Sequence, residues 1–132
     1  FYIKNIFQEL LQHERFCDVT NDLGIMNYEL VGSSDLVISG ATSTMIYISL
    51  AGGIKTISYD PGNKYFQKFI ITENFPNLCA HNFNELVDLI EYWLYKSTDD
   101  DFRTFINDYI RPNIDPYCDG RAIERLQEIL LA

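Results

Sequence analysis

The sequence predicts an α/β fold, a mostly parallel sheet with helices on both faces, and two observations support this prediction. Helical patterns alternate with four short candidate strands, at residues 16–20, 35–39, 55–59 and 78–81. The second observation is the stretch SDLVISGATSTMIYISLAGGIKTISYD, which has the pattern of a strand, a glycine-containing turn, a helix of about two turns and a second strand. A unit of this kind implies a right-handed parallel crossover.

Length and charge bound the class of protein. The 132 residues suffice for one domain with one hydrophobic core, and 47% of them are hydrophobic, as in globular proteins. A formal net charge of −9 and only ten scattered basic residues argue against a nucleic-acid surface or an anionic-membrane surface. No apolar run reaches the length of a membrane span, and no secretory leader is visible.

The cysteines argue against a disulfide framework and against a zinc site. Cys17, Cys79 and Cys118 are odd in number and lack any paired or Cys/His metal spacing. Reduced thiols are typical of the cytoplasm, so we expect a cytoplasmic protein without a bound metal.

The chain before the central unit predicts a helix, a strand and a second helix. Apolar residues recur at helical spacing over residues 2–14, residues 16–20 fit a strand, and a helix is expected over residues 24–31. Asn21 and Asp22 are suited to capping that second helix. Because the chain begins at Phe1, inside a helical pattern and without Met, we expect it to be a fragment with its missing part upstream.

The turn at residues 40–44 is the first candidate for ligand binding. Gly40 follows the strand at residues 35–39, and Thr42, Ser43 and Thr44 stand at the start of the next helix. Backbone N–H groups and a partial positive charge gather at such a helix start, and anions bind there. Hydroxyl side chains at this place also serve simply as helix caps, and the spacing alone favours neither interpretation. The turn matches neither the Walker nor the dinucleotide-binding pattern.

Two further strand ends supply weaker candidates. Residues 60–63, Asp-Pro-Gly-Asn, match a type II turn, and their place after the strand at residues 55–59 makes Asp60, Asn63 and Lys64 second-rank candidates for substrate contact. His81 follows the last predicted strand, although an exposed loop histidine is the commoner explanation. Asn82 and Glu85 then resemble a capping box that opens a helix over residues 82–96.

The remaining segments have structural interpretations. Residues 65–71 show no clean period and are left as irregular or short helix. Three consecutive carboxylates at residues 99–101 suit the start of a helix, which is expected to end where Arg111 and Pro112 break it. A loop over residues 115–120 precedes a final helix, with Asp119 as its cap.

These motifs carry a resemblance. The order SDLVIS, GATSTMI, GG and a strand ending in YD resembles the carboxyl-terminal, donor-binding half of GT-B glycosyltransferases, especially enzymes of bacterial surface-polysaccharide biosynthesis. The ending DGRAIERLQEIL is similar to the Asp-Gly-x-Ala-x-x-Arg close of the same enzymes and of glycerol-phosphate polymerases. The resemblance covers most of the chain and implies a Rossmann-like three-layer α/β/α fold, a truncated GT-B carboxyl-terminal domain over residues 1–132.

The resemblance implies a nucleotide-sugar donor for capsule, lipopolysaccharide or a similar polymer, with Gly40, Thr42, Ser43 and Thr44 holding the nucleotide diphosphate. Tyr47 stands where these families commonly have a ribose-binding acidic residue, so it joins Asp60, Asn63 and His81 as a candidate donor contact. The helix start would neutralise the diphosphate without a metal or another cofactor. In such enzymes the carbohydrate acceptor and the usual catalytic base belong to the other half, and the enzyme works in the cytoplasm or at the inner face of the membrane.

Two alternatives stay open. The first is a glycerol- or ribitol-phosphate transferase, or a nucleotide-sugar epimerase, on the same framework. The second is a non-enzymatic α/β interaction module in which residues 40–44 merely cap a helix.

Overall fold

The computed structural model describes residues 8–16, 27–41, 43–64, 75–114, 116–117 and 119–131. The chain divides into two compact units, Phe1–Leu30 and Val31–Ala132. In the first unit, residues 8–11 are helical, and hydrogen bonds between residues three apart follow at Gln12 and His13. The helix expected to reach residue 14 therefore ends earlier, in tighter turns. Residues 2–7 of this predicted helix, and residues 17–20 of the predicted first strand, lie outside the described residues.

The second unit contains a parallel sheet of three strands in the order β1-β2-β3. Its strands are β1 (Val37–Gly40), β2 (Thr56–Tyr59) and β3 (Cys79–Ala80). The predicted α/β class and parallel pairing are thus confirmed for this sheet. Strand β3 is shorter than expected because a 3₁₀ turn, Pro76–Leu78, occupies the residues before it.

Helix α1 (Asn27–Gly32) precedes β1, and helix α2 (Thr44–Ala51) joins β1 to β2. Helix α2 ends in a Schellman motif: Gly53 N–H donates to the carbonyl of Leu50, and Ile54 N–H donates to that of Ser49. Gly53 has a φ of 73°, a conformation that glycine adopts without steric cost. The glycine pair therefore terminates α2 and turns the chain back into β2.

Two longer helices follow, and each contains a π-helical segment. Helix α3 (Phe83–Glu91) continues as a π segment, Tyr92–Lys96, and α4 (Asp99–Phe105) continues as a second π segment, Ile106–Ile110. Thr98 and Asp101 form a complete capping box at the start of α4. The structural interpretation of the carboxylates at residues 99–101 agrees with this arrangement.

The expectation that Arg111 and Pro112 break this helix is wrong. Residues Arg111–Ile114 form a further α-helical turn, α5, directly after the π segment. Proline lacks the N–H that an α-helix needs, and its ring collides with the carbonyl four residues back. Here Arg111 N–H donates to Ile106, five residues back, and the Asn113 side chain donates to the carbonyl of Tyr109 at 2.6 Å. The wider π turn, together with this side-chain bond, accommodates Pro112.

The core of the second unit joins α2, the sheet and the π-containing helices. Leu50, Ile57 and Leu78 are completely buried, and Trp93 is 3% exposed. The Trp93 ring packs edge-on against Phe102, with ring centroids 5.0 Å apart, and its Nε1 donates to the carbonyl of Asn77 at 3.2 Å. Trp93 therefore ties the helices at residues 83–110 to the segment that leads into β3.

The final helix, α6 (Ala122–Leu131), has no buried residue. Asp119 Oδ1 accepts a hydrogen bond from Arg121 N–H at 3.0 Å, so it holds the turn just before this helix rather than, as was expected, capping an N–H group within it. The guanidinium of Arg125 pairs with the same carboxylate and lies 4.0 Å from the centroid of the Tyr117 ring. Across the described part of the chain, no helix combines the length and the apolar character that a membrane crossing requires.

Candidate functional site

The register of the sheet brings the sequence-predicted candidates to one edge. Gly40 pairs with Tyr59, and Tyr59 pairs with Ala80, so the three strands end level at their carboxyl ends. Asp60 and His81 are the next residues in their strands' continuations, and Asp60 N–H donates to the carbonyl of Ala80 at 2.8 Å. Ligands of open parallel sheets usually bind at this edge. We call it the carboxyl edge.

Local hydrogen bonds hold the turn at residues 40–44. Ser43 N–H donates to the carbonyl of Gly40 at 2.9 Å, and Ser43 Oγ caps α2 by accepting from Met45 N–H at 3.2 Å. These bonds do not involve the backbone N–H of Thr44, whose side chain is exposed. Thr42 lies outside the described residues. Helix α2 therefore begins where the sequence predicts, with Ser43 serving as its cap.

Gly40 offers space at this turn. A β-carbon added to Gly40 would meet no atom within 4 Å, and the residue does not have a positive φ. The backbone conformation thus does not require glycine here. What glycine provides is an uncovered stretch of backbone beside the start of α2.

The other candidates differ in accessibility. Tyr47 is half-buried and packs against the core, and Asp60 is only 3% exposed. Asn63 is exposed and has a φ of 53°. Gly62 has a φ of 88°, and Asn63 N–H donates to the carbonyl of Asp60, which confirms the predicted type II turn. Of these three, only Asn63 is freely presented to solvent.

His81 lines a cleft of about 360 Å³ together with Cys79, Glu85 and Asp88. Glu85 Oε2 accepts from His81 N–H at 2.7 Å, and Asn82 Oδ1 accepts from Glu85 N–H at 3.0 Å. The predicted capping box therefore exists in a shifted form, because Glu85 reaches His81 N–H rather than that of Asn82. Two carboxylates make this cleft a poor place for a diphosphate.

Cys79 is an unreactive thiol at neutral pH. Burial raises the pKa of Cys79 to about 12, the nearby Ser58 hydroxyl opposes the rise, and the negative charge of Asp60 adds to it. Ser58 Oγ is itself buried and forms no hydrogen bond with the described residues, so its influence on Cys79 comes from proximity rather than from a well-aligned bond. A thiol of such high pKa carries almost no thiolate, the nucleophilic form.

A larger cleft lies at the opposite, amino end of the strands, and the sequence analysis missed it. This amino-edge cleft has a volume of about 790 Å³. The residues just before β1 and β2 line one part of it, and side chains of α4, α5 and both π segments line the rest. Its basic members are Lys55, Arg103 and Arg111.

An ion pair lies in the lining of the amino-edge cleft. Lys55 Nζ lies 2.9 Å from Asp99 Oδ1 and 3.5 Å from the carbonyl of Ser97. The Lys55 side chain is 12% exposed, whereas that of Asp99 is 84% exposed. The hydrogen bond from Lys55 and its positive charge lower the pKa of Asp99 below its ordinary value of 3.8. The carboxylate of Asp99 therefore balances the positive charge of Lys55.

Sequence reasoning missed this cleft because strand starts and a distant helix face come together only in the folded chain. One pattern points to it: Asp99, Arg103, Asn107 and Arg111 recur at four-residue steps. Within the described residues no group of three or more potential metal ligands is assembled.

Comparisons with known proteins identify no relative. No protein-family model matches the chain, and no curated protein and no solved structure is significantly similar to it.

Proposed function

We propose that this chain is the nucleotide-sugar donor-binding domain of a GT-B-type glycosyltransferase that builds capsule, lipopolysaccharide or another surface polysaccharide. In this proposal the sheet belongs to a Rossmann-like three-layer domain, and residues 1–132 are part of a longer, cytoplasmic enzyme. The observation that carries the proposal is the uncovered backbone of Gly40, which lies at the carboxyl edge beside the start of α2.

The proposed chemistry is electrostatic stabilisation of the leaving nucleoside diphosphate. The start of α2 presents the N–H of Thr44, the hydroxyls of Ser43 and Thr44, and the positive end of the helix dipole. Donors held in place before the reaction stabilise charge as it develops, a large contribution when the leaving group is a phosphate. The carbohydrate acceptor and the catalytic base would come from another part of the enzyme.

A second candidate, a non-enzymatic α/β interaction module, is favoured by one observation. Ser43 Oγ accepts a hydrogen bond from Met45 N–H, and Ser43 N–H donates to the carbonyl of Gly40, as expected of a residue that only caps a helix. A ligand can still accept the hydroxyl proton of Ser43, so this bonding is compatible with both candidates.

Replacing Gly40 with Val tests the proposal. Because no atom opposes a side chain at this position and valine suits a strand, we expect the Gly40→Val variant to fold normally. The valine methyl groups would cover the backbone, and we expect the affinity for UDP, CDP or GDP to fall about tenfold or more, the cost of one lost charge-assisted bond. Calorimetric titration with each diphosphate and its nucleoside measures this loss.

The matched control is Gly32→Val, the same substitution at an exposed position where an added side chain also meets no atom. This variant should bind nucleotides as the unchanged chain does. Equal affinity of the unchanged chain for nucleoside and diphosphate, or an unaltered diphosphate affinity in Gly40→Val, would remove the phosphate-binding role from this turn.

A further inference from the structure

The amino-edge cleft concentrates positive charge in an acidic protein. The whole chain has ten basic residues and a net charge of −9, yet Lys55, Arg103 and Arg111 all line this one cleft. Asp35 and Asp99 are its only acidic lining residues within the described chain. The local balance is therefore opposite in sign to that of the molecule, which favours an anionic occupant.

Helix geometry places the two arginines on the same side of the cleft. Residues four apart lie on one face of a helix, and Arg103, Asn107 and Arg111 follow one another at that step. In a long α-helix, successive four-residue steps drift around the axis, because a turn takes 3.6 residues. The π segment Ile106–Ile110 takes more residues per turn and counteracts this drift. Arg111 thus stays on the cleft-lining face with Arg103.

The arginines keep their charge available. Lys55 is paired with Asp99, whereas the one ion pair that Arg103 forms among the described residues is with Asp100, at 3.5 Å, and both of these side chains are more than 70% exposed. An exposed pair of this length contributes little. Arg111 is exposed and forms no ion pair with any described residue. Within the described residues, Arg111 thus has no ion-pair partner and Arg103 has only a long, exposed one, so both guanidinium groups can bind a ligand.

Aromatic and apolar side chains also line the cleft. Leu94 and Tyr95 come from the first π segment, and the Tyr95 side chain is 81% exposed. Both π segments of the described chain thus contribute lining residues, and π segments occur frequently at functional sites. A cleft lined by an exposed ring and by two guanidinium groups suits a ligand that joins an anionic group to a flat or apolar body.

We propose that the amino-edge cleft is a second ligand site, which binds a small phosphate-bearing molecule through Arg103 and Arg111, with Tyr95 against the rest of the ligand. A guanidinium group offers parallel N–H donors that match phosphate oxygens. Two such groups complement the charge of a dianion better than they complement that of a single carboxylate. This site lies at the end of the sheet opposite Gly40 and does not depend on the proposed donor site.

The test is a titration of the full chain with pyrophosphate, followed by amide chemical shifts, at constant ionic strength, with acetate as the monoanion control. We expect shifts at Lys55, Arg103 and Asn107 that acetate does not reproduce. Arg111→Gln should weaken pyrophosphate binding at the amino-edge cleft about tenfold or more, as expected for the loss of a charge-assisted contact, and the double variant with Arg103→Gln should abolish the shifts at Lys55 and Asn107.

Arg121→Gln is the matched control, because Arg121 is an exposed arginine paired with Glu124 outside the cleft lining. It should show the same pyrophosphate-induced shifts at Lys55, Arg103 and Asn107 as the unchanged chain. Equal weakening by Arg121→Gln would indicate general charge attraction and overturn the proposal. Shifts confined to Gly40, Ser43 and Thr44, or unchanged binding in the double variant, would also overturn it. Binding of acetate as tight as that of pyrophosphate would overturn the preference for phosphate.

Discussion

At the carboxyl edge of the sheet, polar side chains such as those of Ser43 and Glu85 form hydrogen bonds with the backbone. At the amino edge, by contrast, two arginine side chains extend from a helix face and cap no helix or turn. Ser43 caps α2, and Glu85 binds the backbone at His81. Arg103 has one long contact with Asp100, and Arg111 has no ion pair among the described residues. The turns at the carboxyl edge have local sequence patterns, so that edge could be predicted. The amino-edge cleft forms by the packing of helices that are distant in the sequence, so it could not.

This difference separates two kinds of polar residue. Hydroxyl and carboxamide groups next to strand ends satisfy the free N–H groups of the helices that follow, so their presence alone does not indicate a ligand. A long basic side chain on a helix face has no such structural task. At the carboxyl edge, loss of nucleotide affinity on removal of a hydroxyl therefore identifies a ligand contact. At the amino edge, the positive charge of Arg103 and Arg111 has no close ion pair among the described residues and itself favours an anionic ligand.

The largest expected effect concerns the support of the amino-edge cleft. Trp93 is almost completely buried, contacts Phe102 and donates to Asn77, so Trp93→Ala should lower the free energy of unfolding by about 3–5 kcal/mol. Urea denaturation measures the loss. Tyr95→Ala, on the same π segment but 81% exposed, is the matched control and should change stability little.

Hydrogen exchange then tests the comparison itself. If the helices form the amino edge independently of the turns at the other end, Trp93→Ala should speed exchange at residues 83–114 more than at residues 44–51. Uniform acceleration in both ranges would show that the two edges unfold together, and equal destabilisation by the two variants would contradict the anchoring role of Trp93.

The sequence predicted the elements whose determinants are local. Alternating apolar runs, the glycine pair at residues 52 and 53 and the caps at Ser43 and Asn82 each act within a few residues, and the corresponding helices and strands are present at residues 37–59 and 79–91. The end of the helix near Pro112 was mispredicted, since the π segment that accommodates the proline depends on the Asn113 side chain and on packing of Ile106 and Ile110. A proline alone does not reveal such compensation.

For the candidate sites, too, features set by local sequence were predictable and features set by distant packing were not. Parallel strand order was enough to predict that Gly40, Asp60 and His81 share an edge, and the register bears this out. Burial of Asp60 and the packing of Tyr47 against the core were not predictable, because they depend on residues far away in the sequence. The amino-edge cleft required the relative placement of β2 and α4, which no local pattern encodes.

An intermediate effect separates capping from ligand binding at the carboxyl edge. Ser43→Ala removes the acceptor for Met45 N–H and should cost about 1 kcal/mol of unfolding free energy. Thr44→Ala should be nearly neutral or slightly stabilising, because Thr44 is exposed at the first helical position and alanine is the better helix former. Thermal or urea unfolding of both variants measures these costs.

Thr44→Ala is consequently the cleaner probe of the proposed donor site. A drop in UDP, CDP or GDP affinity without a loss of stability would assign the Thr44 hydroxyl to the ligand. Unchanged affinity in both variants would leave these hydroxyls with structural roles only and favour the interaction-module candidate.

The smallest expected effect is the pH dependence of the ion pair at the amino edge. Lys55 holds the pKa of Asp99 below its value in the unfolded chain, so the folded state favours the ionised carboxylate. The resulting stabilisation is fully present above the unfolded pKa, near 3.8, and is lost as the pH falls through the lower folded pKa. Asp99 is exposed, which keeps the contribution small. Asp99→Asn should therefore be less stable than the unchanged chain at pH 6, and the gap should close below about pH 4.

Asp100→Asn serves as the control, because Asp100 lies in the same first turn of α4 but its one ion pair among the described residues is the long contact with Arg103, at 3.5 Å. Both substitutions remove a negative charge from a helix start, so their shared loss measures the interaction with the helix dipole. The excess loss in Asp99→Asn measures the pair with Lys55. Urea unfolding at pH 6, 5, 4 and 3 separates the two contributions. If the excess loss in Asp99→Asn stays constant over this range, Lys55 and Asp99 are not paired in solution. A larger loss of stability in Asp100→Asn than in Asp99→Asn would lead to the same conclusion. Lys55 would then add its charge to that of the two arginines in the cleft.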